Sequence, residues 1–210
     1  IDGEPTKELV DGQDPDKLFV ERDILYLKDA TDSEEGGRMV IVLPKQNLSG
    51  AQEESVEFRK WLLKKVQITA IVDLPREAFQ PHTGTKTSLV FLKKVKNIPE
   101  DYPIFMAVSE AVGHDRRGNP LYKKDASGMN LLGDDGKEVI WNDLPEIYAQ
   151  WNNYVLSGTV KDRTGEHEPS CFVINSKQIL NDESRRIDAW YWDPNKNNLA
   201  KELEESIGED

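Results

Sequence analysis

The chain has 210 residues, of which 37% are hydrophobic, so it can hold one good-sized domain, or a smaller domain with an appendage. It contains no run of about 18 apolar residues and its acidic opening lacks a signal-sequence layout, which argues against a membrane span and predicts a cytoplasmic location. The single cysteine, Cys171, excludes an internal disulfide and is expected to be a small buried side chain.

The charge of the chain is unevenly distributed. A net charge of −12 argues against nucleic-acid binding, because duplex affinity comes largely from neutralised phosphates. The sign changes along the chain, however: residues 1–37 carry −8, residues 38–97 carry +6 and residues 98–210 carry −10. The basic middle is either an ordinary solvated face or part of a nucleic-acid surface.

The first half of the chain predicts alternating helices and strands. Asp14-Pro15 predicts the start of a helix over about 15–29. The apolar run in 38–44 predicts a strand buried on both faces, as in a parallel sheet. A helix over about 51–65 and a strand over 66–75 would complete a right-handed crossover unit. The apolar stripe expected on the first helix consists of Leu18, Phe19, Ile24, Leu25 and Leu27.

Two more strands are predicted after the loop that follows residue 75. They cover 87–95 and about 102–112, and the short turn between them favours antiparallel neighbours. Residues after 113 are rich in turns, show no internal repeat and predict a surface excursion. A helix over about 143–154 follows, with an apolar stripe of Leu144, Ile147, Tyr148 and Trp151. The remainder predicts a short strand, a short helix, an aromatic extended piece and an acidic terminal helix.

The residues alone reveal no catalytic set. His82, His114 and His167 are far apart in sequence and are not at metal-ligand spacing, so no metal site is expected. The aromatic string AWYW (189–192) is either a docking surface for another domain, which we favour, or a small local core. The residues alone therefore indicate an acidic α/β domain with a basic middle segment.

Several strings nevertheless resemble a specific family. LFVERDILYLKD (18–29), GGRMVIVLPKQNLSG (36–50) and FRKWLLKKVQITAIVDLPREAFQPHTGTKTSLVFLKK (58–94) are similar to the latter half of the methyltransferase (M) subunit of type I restriction-modification systems. The wider family is that of the N-6 adenine DNA methylases. RRIDAWYWDP (185–194) resembles the opening of the target-recognition region that follows the methylase in fused enzymes.

The resemblance implies an α/β fold, a partial Rossmann-like methyltransferase sheet. This chain would supply the last strands, mixed parallel and antiparallel, with a helical C-terminal extension. Such enzymes bind S-adenosylmethionine at a glycine-rich turn and hold the target amino group with an Asn/Asp-Pro-Pro-Tyr/Phe tetrapeptide. Neither motif occurs in the 210 residues. The resemblance therefore predicts a fragment that begins just after the tetrapeptide, contains no catalytic residue and binds no cofactor alone, whereas its parent protein is an S-adenosylmethionine-dependent enzyme.

One family position with a role in binding the target base falls within this chain. The match places Phe79 where an aromatic ring stacks on the flipped adenine, with a core phenylalanine as the other interpretation. Thr83, Gly84, Thr85 and Lys86 would lie beside it and contact the DNA backbone, unless they form a plain polar loop.

The resemblance also implies a domain layout and a set of partners. Residues 1–113 would be the C-terminal half of the methyltransferase domain, 114–170 an excursion and a helix completing it, and 171–210 a linker and the start of a target-recognition or docking region. The expected partners are DNA, a specificity subunit or fused target-recognition domain, and the missing N-terminal half, with a homo-oligomer possible and no membrane. Strand 38–44 is expected at a sheet edge that another copy or a terminal segment covers.

Two other interpretations stay open. The chain could be a non-catalytic interaction module that docks on a specificity subunit or DNA, or an unrelated α/β binding domain.

Overall fold

A five-stranded mixed sheet organises the computed structural model, which describes residues 14–163, 165 and 168–196. The strands are β1 (Arg38–Pro44), β2 (Gln67–Asp73), β3 (Thr87–Lys93), β4 (Pro103–Val108) and β5 (Ser170–Asn175), in the spatial order β1-β3-β2-β4-β5. Only β2 and β4 pair in parallel, and the other three pairings are antiparallel. This confirms the predicted α/β fold with a mixed sheet.

Helices cover both faces of the sheet. They are α1 (Pro15–Tyr26), α2 (Lys45–Ser49), α3 (Glu53–Lys65), α4 (Leu144–Ser157), α5 (Ser176–Asn181) and α6 (Ala189–Trp192), with a 3₁₀ helix at Arg76–Phe79. Buried side chains of α1, α2, α3 and α5 share one apolar core with the sheet, and α4 packs on the opposite face through Ile147. None of the described helices is long and apolar enough to cross a membrane.

Strand β1 lies at an edge of the sheet, as predicted, but it is not buried on both faces. Val40 and Val42 are 54% and 42% exposed, whereas Leu43 on the other face is buried. β1 lies at the end of the sheet, beyond β3, and neither valine belongs to the apolar cluster that α4 forms on the second face. The two strands that flank α3 are therefore parallel in direction without being neighbours.

The predicted pairing of the third and fourth strands is wrong. β3 and β4 run in opposite directions, but β2 lies between them and pairs with both. The short connection between β3 and β4 therefore crosses one strand instead of forming a hairpin.

The predicted apolar stripe of α1 is wrong for most of its members. Val20 and Ile24 face the core together with the aliphatic part of Lys17, whereas Leu18, Phe19 and Leu25 are exposed. Positions 17, 20 and 24 lie on a single face of the helix. The face of α1 that packs on the core therefore includes a lysine.

The glycine pair before β1 is a site of close packing and not merely a flexible entry. A Cβ atom on Gly36 would lie 2.0 Å from the carbonyl oxygen of Lys94. Gly37 donates its N–H to Lys28 and accepts a hydrogen bond from the N–H of Lys94. The pair therefore lets three backbone segments meet beside the edge strand.

The excursion after β4 contains a repeat that the sequence analysis missed. Asp115, Asp125 and Asp135, spaced by ten residues, each accept a hydrogen bond from the backbone N–H two residues later. Each of these turns also contains a glycine with positive φ, at 118, 128 and 136. The three turns form short hairpins joined by isolated bridges between residues 112 and 142.

The C-terminal part contributes a strand to the sheet, which a linker would not do. β5 pairs along its whole length with β4, so residues 171–175 belong to the sheet and the predicted boundary at 170/171 cuts a strand. The predicted aromatic extended piece includes the short helix α6, and most of the predicted acidic terminal helix lies outside the described residues.

Candidate functional site

Three parallel strands end at one edge of the sheet, which we call the carboxyl edge. Asp73 of β2 is in register with Val108 of β4 and with Ser88 of β3, and Pro44 of β1 is in register with Thr87. Ligand sites in open α/β sheets form preferentially at such strand ends. A cleft of about 500 Å³ opens there, between the strand ends, the 3₁₀ helix and the chain around α6.

A buried carboxylate pair forms the base of this cleft. The Asp188 carboxylate lies 2.9 Å from the Lys45 ammonium, and Asp73 lies 3.7 Å from the same ammonium. Asp73 also accepts a hydrogen bond of 2.6 Å from the Ser88 hydroxyl. Asp73 and Asp188 are 6% and 1% exposed. One lysine therefore bridges two carboxyl groups from distant parts of the chain.

The two carboxyl groups have opposite pKa shifts. Burial, followed by the neighbouring Asp188, raises the pKa of Asp73 to about 7. Burial also disfavours ionisation of Asp188, but its hydrogen bond to Asp73 and the Lys45 ammonium outweigh this and lower its pKa. The proton of the pair therefore resides on Asp73, and Asp188 is the carboxylate that balances the charge of Lys45.

Both carboxyl groups position Trp190. The backbone N–H of Trp190 donates to Asp73 Oδ2 and to Asp188 Oδ1, at 2.9 Å each. Its ring lines the cleft and is 43% exposed. Three ammonium groups surround the ring centre: Lys196 at 3.3 Å, Lys45 at 4.5 Å and Lys86 at 6.0 Å. The site thus combines an aromatic surface with clustered positive charge.

Much of the basic middle of the chain is neutralised elsewhere. Lys93 pairs with Glu35, Lys94 with Asp29 and Lys96 with Asp32, so the acidic loop before β1 balances the lysines at the end of β3 and just after it. Within the described part of the chain, no acidic group lies at ion-pair distance from Lys86 or Lys196. Lys86 and Lys196 therefore contribute positive charge to the cleft that no ion pair with a described residue offsets.

The structure places the predicted base-stacking residue near the carboxyl edge. Phe79 ends the 3₁₀ helix that follows β2 and is 38% exposed, in contrast to an enclosed core phenylalanine. Arg76 and Glu77 of the same helix line the cleft, whereas Phe79 is not among the lining residues. The exposure agrees with the expected geometry, while the stacking role itself stays a prediction.

The predicted DNA-backbone residues form an exposed turn after the 3₁₀ helix. Thr83 donates its hydroxyl to the Thr85 hydroxyl at 3.0 Å, and the Thr85 N–H donates back to the Thr83 hydroxyl oxygen. Gly84 lies between them, exposed. Lys86 is the member of this group that reaches the cleft, and its carbonyl oxygen accepts the N–H of Lys45.

Sequence reasoning missed the four residues that build the cleft: Lys45, Asp73, Asp188 and Trp190. A signal for Asp73 was present, because a carboxylate that ends a buried strand directly before Leu74 is unusual and needs a partner. Its partner is 115 residues away in sequence, and no local pattern links the two.

Other chemically reactive groups do not join the site. Within the described residues, no three His, Cys, Asp or Glu side chains are grouped to hold a metal ion. Cys171 lies half-buried in β5 against the core under α4, where burial raises the pKa of its thiol to about 12.

Comparison with solved structures reveals similar folds in longer proteins. A chain of a type I restriction-modification system, solved in work on its complex assembly and conformational transition, shares 19% identity and a TM-score of 0.52, over 92% of this chain and 37% of that one. The type IIG restriction endonuclease BpuSI shares 15% identity and a TM-score of 0.50, over 89% and 17%. The methyltransferase subunit of a type I system from Streptococcus thermophilus shares 18% identity and a TM-score of 0.40, over 73% and 26%.

These likenesses concern the fold, and the chain spans well under half the length of each of these proteins. No curated protein sequence matches the chain. The sequence profile of the family described as N-6 DNA Methylase matches residues 17–135, more than half of the chain. The chain therefore belongs to the N-6 DNA methylase family.

Proposed function

We propose that these residues form the latter part of the methyltransferase domain of a site-specific adenine DNA methyltransferase from a restriction-modification system. Family membership supports the chemistry, and the position of Phe79 carries the proposal for this chain. The ring lies partly exposed at the end of the connection that leaves β2, where an extruded base could reach its face. Thr83, Gly84, Thr85 and Lys86 then contact the backbone of the same DNA.

The cofactor of the family, S-adenosylmethionine, does not fit the cleft at the carboxyl edge. Its sulfonium is a cation, and the aromatic surface in the cleft is already surrounded by three ammonium groups. A further positive charge at that ring would be repelled. We therefore assign cofactor binding and the catalytic tetrapeptide to another part of the complete enzyme, and expect this chain alone to be inactive.

The open edge of β1 is where we place the other part of the methyltransferase domain. Among the described residues, β1 pairs on one side only, with β3, and it exposes Val40 and Val42 on one face. An apolar strand with a free edge favours pairing with a further strand. The remaining proposed partners are DNA and a specificity subunit or fused target-recognition domain, which would contact the region after β5.

Calorimetric titration with S-adenosylmethionine tests the division of labour. We expect no binding by the 210-residue chain and binding by a protein that adds an upstream segment with the Asn/Asp-Pro-Pro-aromatic tetrapeptide. Micromolar binding by the 210-residue chain would overturn this part of the proposal.

Expression in cells tests the activity. We expect N6-methyladenine in the DNA of a host that makes the longer protein together with its specificity partner, and none with the 210-residue chain. A longer protein that assembles on its partner and on DNA without producing N6-methyladenine would instead favour the non-catalytic interaction module.

A further inference from the structure

We propose that Trp190, Lys86 and Lys196 form a second nucleotide-binding site, which holds a nucleotide of the DNA strand outside the flipped adenine. The base stacks on the exposed part of the Trp190 ring, and the adjoining phosphate binds the two ammonium groups. The proposal rests on the proposed function for the choice of DNA as ligand, and on the cleft alone for the site.

The position of the ring argues for a built site. Trp190 is fixed through its backbone by two buried carboxyl groups, each 2.9 Å from its nitrogen. The neighbouring Tyr191 and Trp192 rings contact each other edge to face, and Trp192 packs on the main core. Trp190 therefore stays exposed at a fixed place beside the strand ends, while the other indole of α6 helps to anchor the helix.

The cations around the ring match a nucleotide better than an apolar ligand. Single-stranded nucleic acids bind where aromatic rings stack on bases and nearby positive charges follow the phosphates. Lys45 is committed to Asp188, which leaves Lys86 and Lys196 to bind an anion. The ammonium nitrogens of Lys86 and Lys196 lie 6.0 Å and 3.3 Å from the centre of the Trp190 ring.

Two of the acidic groups in the cleft are engaged with neighbouring side chains or backbone groups. Asp193 accepts hydrogen bonds from Ser170 and from the backbone of Asn195, and Glu110 lies 3.2 Å from Arg163. Among the described residues, the lining Glu77 carboxylate has neither an ion pair nor a side-chain hydrogen bond. Removing its charge should therefore strengthen binding, an effect opposite to that of removing a lysine.

The site also joins residues inside and beyond the segment that matches the family. Lys86 lies inside the segment that matches the methylase family, whereas Trp190 and Lys196 lie beyond it. The cleft thus gives the C-terminal extension a direct role in contacting the DNA beside the methylase loop.

The test measures binding of a fluorescently labelled single-stranded oligodeoxynucleotide by the 210-residue chain at low salt. We expect Trp190→Ala to weaken binding about tenfold, the order of magnitude of one lost base stack. Trp190→Phe should retain most of the affinity. The double variant Lys86→Ala with Lys196→Ala should reduce the salt dependence of binding. Glu77→Gln should raise the affinity. Trp61→Phe is the matched control, because Trp61 packs against Phe58 on α3.

Three results would overturn the site. They are a wild-type chain that does not bind the oligonucleotide, a folded Trp190→Ala variant with unchanged affinity, and a Trp190→Ala variant that no longer binds a specificity subunit but still binds DNA. Folding is checked by thermal melting, and Trp190→Phe serves where the alanine variant does not fold. Oligonucleotide binding that depends on Trp190, beside a longer protein that fails to methylate adenine, would support the site and refute the proposed function. Methylation that depends on Phe79 and not on Trp190 would support the proposed function and refute the site.

Discussion

The C-terminal segment is attached to the core at two charged sites with opposite character. At the first, the buried Arg59 guanidinium donates to the backbone carbonyl oxygens of Ser184, Asn47 and Gly50 at 2.7–2.9 Å. At the second, Asp73 and Asp188 hold the backbone of Trp190 and the ammonium of Lys45. The first site is closed, whereas the second opens into the cleft.

The difference shows how burial alone fails to identify function. Arg59 is fully buried and its donors are used to join α2, α3 and the chain before α6, which is a structural role. The Asp73 site is nearly as buried, yet the groups that it positions, Trp190 and its lysines, are accessible. A functional site is therefore indicated by what a buried polar cluster presents to solvent.

Replacing Arg59 should produce the largest effect and should break the closed site only. Arg59→Ala removes the donor to the buried Asn47 carbonyl and to the part-buried Gly50 and Ser184 carbonyls, which we expect to lower the free energy of unfolding by about 3 kcal/mol or more. Chemical denaturation measures this change. Lys60→Ala is the control, because Lys60 is an exposed neighbour paired with Glu57. A loss below about 1 kcal/mol would show that Arg59 does not hold the segment.

The open site should be sensitive to pH. Since the pKa of Asp73 is raised from 3.8 to about 7, the folded protein retains a proton that the unfolded chain releases. The contribution of this group is thus fully present below about pH 4 and is lost as the pH rises to about 7, by at most about 4 kcal/mol. Asp73→Asn should remove this dependence.

The pH effect is measured as the difference in unfolding free energy between the wild type and Asp73→Asn at several pH values. Asp188 and Lys45 are the charged groups that face Asp73, and both residues are retained in the variant. Asp115→Asn is the control: the Asn119 side chain and backbone N–H groups lower the pKa of Asp115, so its contribution is lost as the pH falls. A constant difference for Asp73→Asn would contradict the assignment of the proton.

A smaller effect is expected at Phe79, on binding instead of stability. In the complete enzyme, Phe79→Ala should weaken binding of the extruded adenine by about 1–3 kcal/mol, the value of one base-aromatic stack. Because the ring is partly exposed, its loss should cost little thermal stability. DNA affinity and the fluorescence of 2-aminopurine at the target position report the change. Unchanged affinity beside a lowered melting temperature would show a structural ring.

The smallest effect is expected for Lys86. Lys86→Ala removes one phosphate contact, so affinity should fall about equally for all DNA sequences and the salt dependence should decrease by about one charge. Stability should not change, because Lys86 is exposed and has no ion pair within the described residues. Titrations at three salt concentrations measure the slope. A loss restricted to one DNA sequence would contradict a phosphate contact.

The sequence predicted the elements of the sheet better than their pairing. The apolar runs and helix signals located β1 to β4, α1, α3 and α4, because these depend on local periodicity. The position of β3 between β1 and β2 depends on long-range pairing that no local pattern encodes. The same limit explains the exposed face of β1, since an apolar run gives no information on whether a helix covers it.

The site was predictable only where the family resemblance reached. Phe79 and Lys86 lie in the matched strings; Lys86 lines the cleft at the carboxyl edge, and Phe79 ends the 3₁₀ helix whose Arg76 and Glu77 line it. Asp188, Trp190 and Lys196 lie beyond the segment 17–135 that matches the family profile and are brought to the same edge by β5 and α6. The interpretation of AWYW as either a docking surface or a local core was too simple, because Ala189 and Trp192 contact the core while Trp190 faces the cleft.

Transfer of a labelled methyl group from S-adenosylmethionine to DNA tests the central claim most directly. The assay compares the 210-residue chain, the upstream part of the methyltransferase domain, and the two combined with the specificity partner. We expect transfer to the N6 atom of adenine only in the combined sample, and a reduced rate when the chain carries Phe79→Ala. Transfer by the upstream part at the same rate without this chain, or transfer to cytosine, would contradict the account.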